Sequence, residues 1–229
     1  MKSIFQSLMD IFYPKNCLTC AKVLIKYEEI LCFYCERELP FTNYCNTKDN
    51  EVEKIFFGRV AVYNATALLH FNKKGHVQTM IHELKYRGNQ QIGTYLGRIL
   101  GDEIVFSKRF LDLDCILTIP ISKQKIKQRG YNQTTTFGRE LSNRLKIPYY
   151  EDLLVANAKK HSQTILSRFD RIGELENKFL LLNGGILYKK HILLVDDVVT
   201  TGATLEACTF VLQKVEGVKI SIALMAITD

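Results

Sequence analysis

The stretch from Ile192 to Thr204 constrains this chain most. Ile192-Leu193-Leu194-Val195 is a short apolar run that reads as a buried strand. Two adjacent carboxylates, Asp196 and Asp197, follow at its C-terminal end. Val198, Val199, Thr200, Thr201, Gly202, Ala203 and Thr204 then make a loop of small and hydroxyl residues that opens a helix. In open α/β sheets, ligands bind beyond the carboxyl ends of the strands. The free N–H groups and dipole of a helix start suit a phosphate there. Gly202 lets backbone approach the anion, and Thr200, Thr201 and Thr204 add hydroxyl donors. The two carboxylates would repel a phosphate aimed at them. They are suited instead to the vicinal hydroxyls of a sugar, or to the waters of a Mg²⁺ ion. The plainer alternative is an acidic pair that only caps a loop.

The charge distribution points to the same kind of ligand. The 229 residues carry 31 Lys and Arg against 24 Asp and Glu, a net +7. No acid occurs between Cys115 and Phe137, where Lys123, Lys125, Lys127 and Arg129 lie, or between Leu153 and Phe169, where Lys159, Lys160 and Arg168 lie. With Arg139, these segments hold the whole excess. Local basic segments suit an anionic ligand such as a phosphorylated metabolite, a nucleic acid or an anionic membrane. A solvated lysine face is the plain alternative. In extended conformation Lys123, Lys125 and Lys127 would all face one way, and Arg129-Gly130 would add a guanidinium fork at a tight turn.

Short apolar strands alternate with helical patterns along the rest of the chain. Strands are expected at Arg59–Phe71 (or a hairpin), Cys115–Ile119, Leu153–Ala156, Ile192–Val195 and Val218–Ile227. Helices are expected at Val77–Tyr86, Ile92–Ile104, Thr134–Leu145 and Thr204–Lys214. This alternation predicts an α/β fold with a parallel sheet and flanking helices. Residues 159–175 are polar and basic without a clear period and read as a mobile loop. Ile4, Phe5, Leu8, Ile11 and Phe12 fall on one face of a short N-terminal helix, expected to dock on the protein's own body. No apolar run reaches the roughly 20 residues a membrane span needs, and no signal peptide is evident, so a cytoplasmic protein is expected.

Five of the seven cysteines lie in the first 45 residues. Cys17-x2-Cys20 and Cys32-x2-Cys35 are two pairs separated by eleven residues, a spacing that lets four thiolates surround one structural Zn²⁺. A single redox pair is the competing reading, but it would need only one CxxC. Cys45 is either a substitute ligand or free. Cys115 and Cys208 read as small core residues. The polar stretch 46–58 suggests a boundary, with a cysteine module over 1–55 and an α/β domain over 56–229.

The Ile192–Thr204 stretch resembles the phosphoribosyl pyrophosphate (PRPP) signature of type I phosphoribosyltransferases. The basic run ending in Arg129-Gly130-Tyr131-Asn132-Gln133, with its flanking strand and helix, is similar to the ComF family. Members of that family are competence-associated proteins with a phosphoribosyltransferase-like domain. The cysteine knuckle, Lys85-Tyr86-Arg87-Gly88, Gln163 to Arg168, Arg171 and Asn177 extend the resemblance over nearly the whole chain. One departure is that many relatives carry a further cysteine pair near position 45, where only Cys45 stands here.

The resemblance implies that Asp196 and Asp197 hold the ribose and that Thr200–Thr204 hold the 5′-phosphate. It implies that Lys123, Lys125, Lys127 and Arg129 take the pyrophosphate with Mg²⁺. Lys159, Lys160, Gln163, Arg168 and Arg171 would belong to a lid that excludes water. Lys85, Tyr86, Arg87 and Tyr131 become candidates for contacting single-stranded DNA. Three functions compete: a phosphoribosyltransferase acting on an unidentified nucleophile, a PRPP-binding module that handles incoming DNA, and a scaffold whose knuckle docks a helicase-like partner. Peripheral placement at the inner membrane face is an alternative to a purely cytoplasmic location. No histidine constellation supplies a general base, and His161 is only a loop candidate.

Overall fold

A computed structural model describes residues 14–157 and 178–228. The expected N-terminal helix and the lid residues Lys159, Lys160, Gln163, Arg168 and Arg171 lie outside the described residues. In chain order the elements are helix α1 (Phe33–Arg37), helix α2 (Glu51–Phe56), strand β1 (Ala65–Phe71), helices α3 (His76–Tyr86) and α4 (Gln91–Phe106), and strand β2 (Cys115–Thr118). Helices α5 (Lys123–Arg129) and α6 (Thr135–Leu145) follow, then strands β3 (Tyr149–Tyr150), β4 (Leu154–Ala156), β5 (Phe179–Leu181) and β6 (His191–Val199). Helix α7 (Ala203–Leu212) and strand β7 (Lys219–Thr228) close the chain.

Five strands form one sheet in the order β1-β7-β6-β2-β3, and every pair in it is parallel. The expected strand at Arg59–Phe71 is therefore β1, paired with the C-terminal strand rather than folded into a hairpin. The expected strand at Leu153–Ala156 is β4, but it leaves the main sheet and pairs antiparallel with β5.

Period-two alternation explains the two cores. Ile116, Leu193, Val195, Ala223 and Met225 face α3, α4 and α6, where Met80, Leu84, Leu96 and Phe137 are buried. Cys115, Leu117, Ile192, Leu194, Ile222 and Leu224 face the other way, against α7 and Phe56 of α2. Both sheet faces are covered, so the central strands are mostly apolar on both sides. Ile30, Leu31 and Leu39 of the cysteine-rich segment join the first of these cores.

A glycine row brings α4 close to α6. A Cβ at Gly97 would stand 2.9 Å from the Phe137 carbonyl oxygen, and one at Gly101 would stand 2.9 Å from Arg144 Cβ.

The connectivity places the ligand crevice. The chain leaves β2 through α6 to β3 on one side, while β6 pairs with the other side of β2. The strand order therefore reverses between β2 and β6, and a crevice opens above their carboxyl ends. Among the described residues no helix is long and apolar enough to cross a membrane.

Candidate functional site

The acidic pair lies inside β6, not after it. The strand continues to Val199, so Asp196 and Asp197 are fixed by sheet pairing on both sides of the expected break. Apolar pattern alone ended the strand at Val195, because the carboxylates interrupt the apolar run but not the backbone ladder. Asp197 Oδ1 accepts from the Val198 N–H at 2.6 Å, and Asp196 Oδ1 accepts from the Asp197 N–H at 2.8 Å.

Both carboxylates line a cleft of about 420 Å³. Asp197 is buried, yet its Oδ2 takes two donors. Lys85 Nζ is 2.8 Å away and Gln133 Nε2 donates at 2.8 Å. Among the described residues Asp196 has no such direct ion pair. Desolvation, and then the neighbouring Asp197 charge, push its carboxyl well above the ordinary range, and Lys85 and Lys125 offset only part of that.

The Arg129–Gln133 motif builds one wall of this cleft, and each residue has a separate task. Arg129 Nη1 donates to Gln133 Oε1 at 2.7 Å, which orients the Gln133 amide toward Asp197. Gly130, at φ +79°, ends α5 in the left-handed region. The Tyr131 hydroxyl donates to the Leu84 carbonyl of α3. Asn132 Nδ2 donates to the Ile119 carbonyl just past β2 at 3.0 Å. The motif thus ties α3, the end of β2 and the acidic pair of β6 together.

The basic run is not extended. Ser122 caps a helix by accepting from the Lys125 N–H at 3.3 Å, and the run continues as α5 to Arg129. At 100° per residue, Lys123 and Lys127 share one face, Lys125 and Arg129 share another, and the two faces lie about 160° apart. Lys125 and Arg129 line the cleft, while Lys123 and Lys127 are not among its lining residues. The expectation that the three lysines face one way is corrected by this helical period.

The loop after β6 forms a second, smaller hollow lined by Asp196 and residues 198–205. Gly202 stands at φ +74° as the N-cap of α7. It is also packed, since a Cβ there would meet Ile55 Cγ2 at 2.6 Å. Thr200, Thr201 and Ala203 are exposed, and Thr204 lines the large cleft.

The nucleic-acid candidates separate by position. Lys85 belongs to the acidic pair. Tyr131 is half-buried, with its hydroxyl occupied. Tyr86 is exposed, tilted against the His82 ring at 5.1 Å, with the Arg129 guanidinium 5.3 Å from its centroid. Sequence reading missed the pairing of Lys85 with Asp197, and its signal was only the Lys85–Gly88 motif. Lys178 was not anticipated as a lining residue.

Cys17, Cys20, Cys32 and Cys35 form a group whose sulfur atoms all lie within 4.8 Å of one another. A tetrahedron with Zn–S bonds near 2.3 Å has sulfurs about 3.8 Å apart, and Cys20 Sγ and Cys32 Sγ are 3.6 Å apart. The Cys32 N–H also donates to Cys17 Sγ at 3.3 Å. The donor set fits a metal ion with four closed sulfur ligands. Cys45 is elsewhere, buried with its sulfur 3.4 Å from Thr66 Oγ1. Cys115 and Cys208 are core residues, as expected.

A switched parallel sheet, an acidic pair on the strand beside the switch, and a Thr-Gly loop opening the next helix define a type I phosphoribosyltransferase-like fold. In sequence the chain is similar to proteins named for competence and for DNA utilization. It is 26% identical over 214 residues to Competence protein F of Haemophilus influenzae, covering 89% of this chain and 93% of the relative. It is 30% identical over 131 residues to DNA utilization protein YhgH of Escherichia coli O157:H7, covering 55% of this chain and 56% of that protein. Among solved structures, adenine phosphoribosyltransferase from Leishmania tarentolae is similar at 11% identity and a TM-score of 0.42, covering 73% of this chain and 92% of that one. No family model matches the sequence.

Proposed function

We propose that this protein binds PRPP in the β2/β6 crevice and acts in the handling of single-stranded DNA taken up during natural transformation. The observation that carries the ligand assignment is the convergence on one cleft of an acidic pair from β6, Lys85 from α3, and Lys125 and Arg129 from α5. Such a site has carboxylates for ribose hydroxyls beside cations for a pyrophosphate. Thr200–Thr204 would receive the 5′-phosphate at the start of α7. The carboxylates of Asp196 and Asp197 also suit a Mg²⁺ held through water, and Mg²⁺ would supply charge neutralisation to the pyrophosphate. The names of the relatives, competence and DNA utilization, support the DNA half of the reading, with a helicase-like protein as the fitting partner class.

Zinc is the metal assigned to the four cysteines. Four sulfurs leave no open position, so its role is structural. Segment 1–55 would be the module it organises, with 56–229 as the ribose-phosphate domain.

Group transfer is a second reading, favoured by the extent of the cleft. It continues past the acidic pair to Ala156, Asn157 and Phe179, leaving room beyond the ribose for an acceptor. The C1–O bond would break, pyrophosphate would leave with the bonding electrons, and the acceptor would attack C1. The chain's contribution would be positioning and charge neutralisation.

Calorimetry with PRPP and Mg²⁺ tests the ligand. Wild type is expected to bind, and an Asp196→Asn/Asp197→Asn variant is not. Absence of binding to the wild type would remove both readings. Pyrophosphate release measured with and without single-stranded oligonucleotide then separates turnover from ligand sensing.

A further inference from the structure

Arg59 lies outside every motif, on the turn after α2, and reaches the phosphate loop from behind. Its Nη1 donates to the Thr201 carbonyl at 2.8 Å and to the Ile55 carbonyl at 3.1 Å. Its Nη2 pairs with Glu206, whose side chain is only 15% exposed. Glu206 stands in the first turn of α7. An acid there is favourable to the helix dipole, but it competes with any anion bound at the same end.

We infer that Arg59 is the residue that makes the Thr200–Thr204 loop receptive to a phosphate, by cancelling the Glu206 charge and by fixing the Thr201–Gly202 peptide. This rests on the ribose-phosphate reading above. The described peptide bonds are all trans. In a planar trans peptide the C=O and N–H point in opposite directions. Anchoring the Thr201 carbonyl on Arg59 therefore turns the Gly202 N–H away from Arg59. The packing of Gly202 on Ile55 holds the same peptide from the side. Without the guanidinium, the Glu206 charge in the first turn of α7 would stand uncompensated beside the loop. Arg59 touches no ligand position and acts through the loop, so it is a positioning residue.

The test is calorimetry of the full chain with PRPP and Mg²⁺ for wild type, Arg59→Ala, Arg59→Lys, Glu206→Gln and Arg59→Ala/Glu206→Gln. Thermal melts of each run alongside. Arg59→Ala is expected to bind about tenfold more weakly, Glu206→Gln within about twofold of wild type, and the double variant to regain about half of the loss on a logarithmic scale. Arg59→Lys, which keeps the charge, should bind better than Arg59→Ala. A role in fold stability alone would not be rescued by Glu206→Gln, because that change does not restore the lost contacts. A double variant as weak as Arg59→Ala, or an Arg59→Ala that binds like wild type, would overturn the inference while leaving the ribose-phosphate reading intact. A wild type that binds no PRPP would overturn that reading and this inference together.

Discussion

Lys85, the penultimate residue of α3, holds its ammonium 2.8 Å from the Asp197 carboxylate of β6. A lysine from a helix on one sheet face thereby balances half of the acidic pair carried within a central strand. The pair is mostly buried, at 20% and 8% side-chain exposure, so its loss would leave a desolvated carboxylate that, among the described residues, keeps Gln133 as a side-chain donor.

Lys85→Met should therefore lower stability by about 1–3 kcal/mol near neutral pH, less than for a fully buried pair because Gln133 remains. It should also weaken PRPP binding, since the cation nearest the acidic pair is gone. Urea unfolding and calorimetry on the same variant check both effects.

Asp196→Asn should stabilise the protein while removing PRPP binding. A carboxyl whose native pKa is raised contributes stability fully present below its unfolded value, and that stability is lost as pH rises through the native value. Desolvation and the Asp197 charge raise Asp196. The wild type should therefore lose stability from mildly acidic to alkaline pH. Asp196→Asn should flatten that slope and melt higher than wild type at the alkaline end. A steeper slope in the variant would contradict the assignment.

The two faces of α5 should separate in binding experiments. Lys125→Ala/Arg129→Ala should weaken PRPP binding by about tenfold or more, whereas Lys123→Ala/Lys127→Ala should change it by less than about twofold. If the outer face tracks nucleic-acid phosphates, the second variant alone should reduce the salt slope of single-strand binding, by nearly one unit per lost contact.

Gly97→Ala should destabilise the protein by about 1–3 kcal/mol through overpacking, although alanine is the better helix former by about 1 kcal/mol. The obstacle is a backbone oxygen at 2.9 Å, which cannot rotate away. A rise in melting temperature would contradict the close approach of α4 and α6.

For the cysteine group, freshly purified protein should contain about one equivalent of zinc. Chelation or Cys32→Ser should release the metal and lower the melting temperature, because metal binding to such a segment is coupled to its folding. Cys45→Ser should retain the metal.

Local chemistry in the sequence determined much of this protein. Apolar four-residue runs specified buried strands, and two CxxC pairs specified a metal-sized group of sulfurs. Strand, acidic pair, hydroxyl loop and glycine in series specified the carboxylates and the helix start that line the clefts beyond β6. These features depend on neighbours within a few residues, so their physics is visible in order along the chain.

Tertiary structure decided the rest. Whether Lys123, Lys125 and Lys127 share a face depends on Ser122 capping a helix, and alternation alone could not reveal that. The length of β6 depends on pairing with β7, which carries the ladder past two carboxylates. Lys85 meets Asp197, and Arg59 meets Glu206, only because the sheet order brings α3 and α2 to opposite sides of β6. Ion pairs between such distant residues leave no local signature, since neither partner's sequence neighbourhood points to the other.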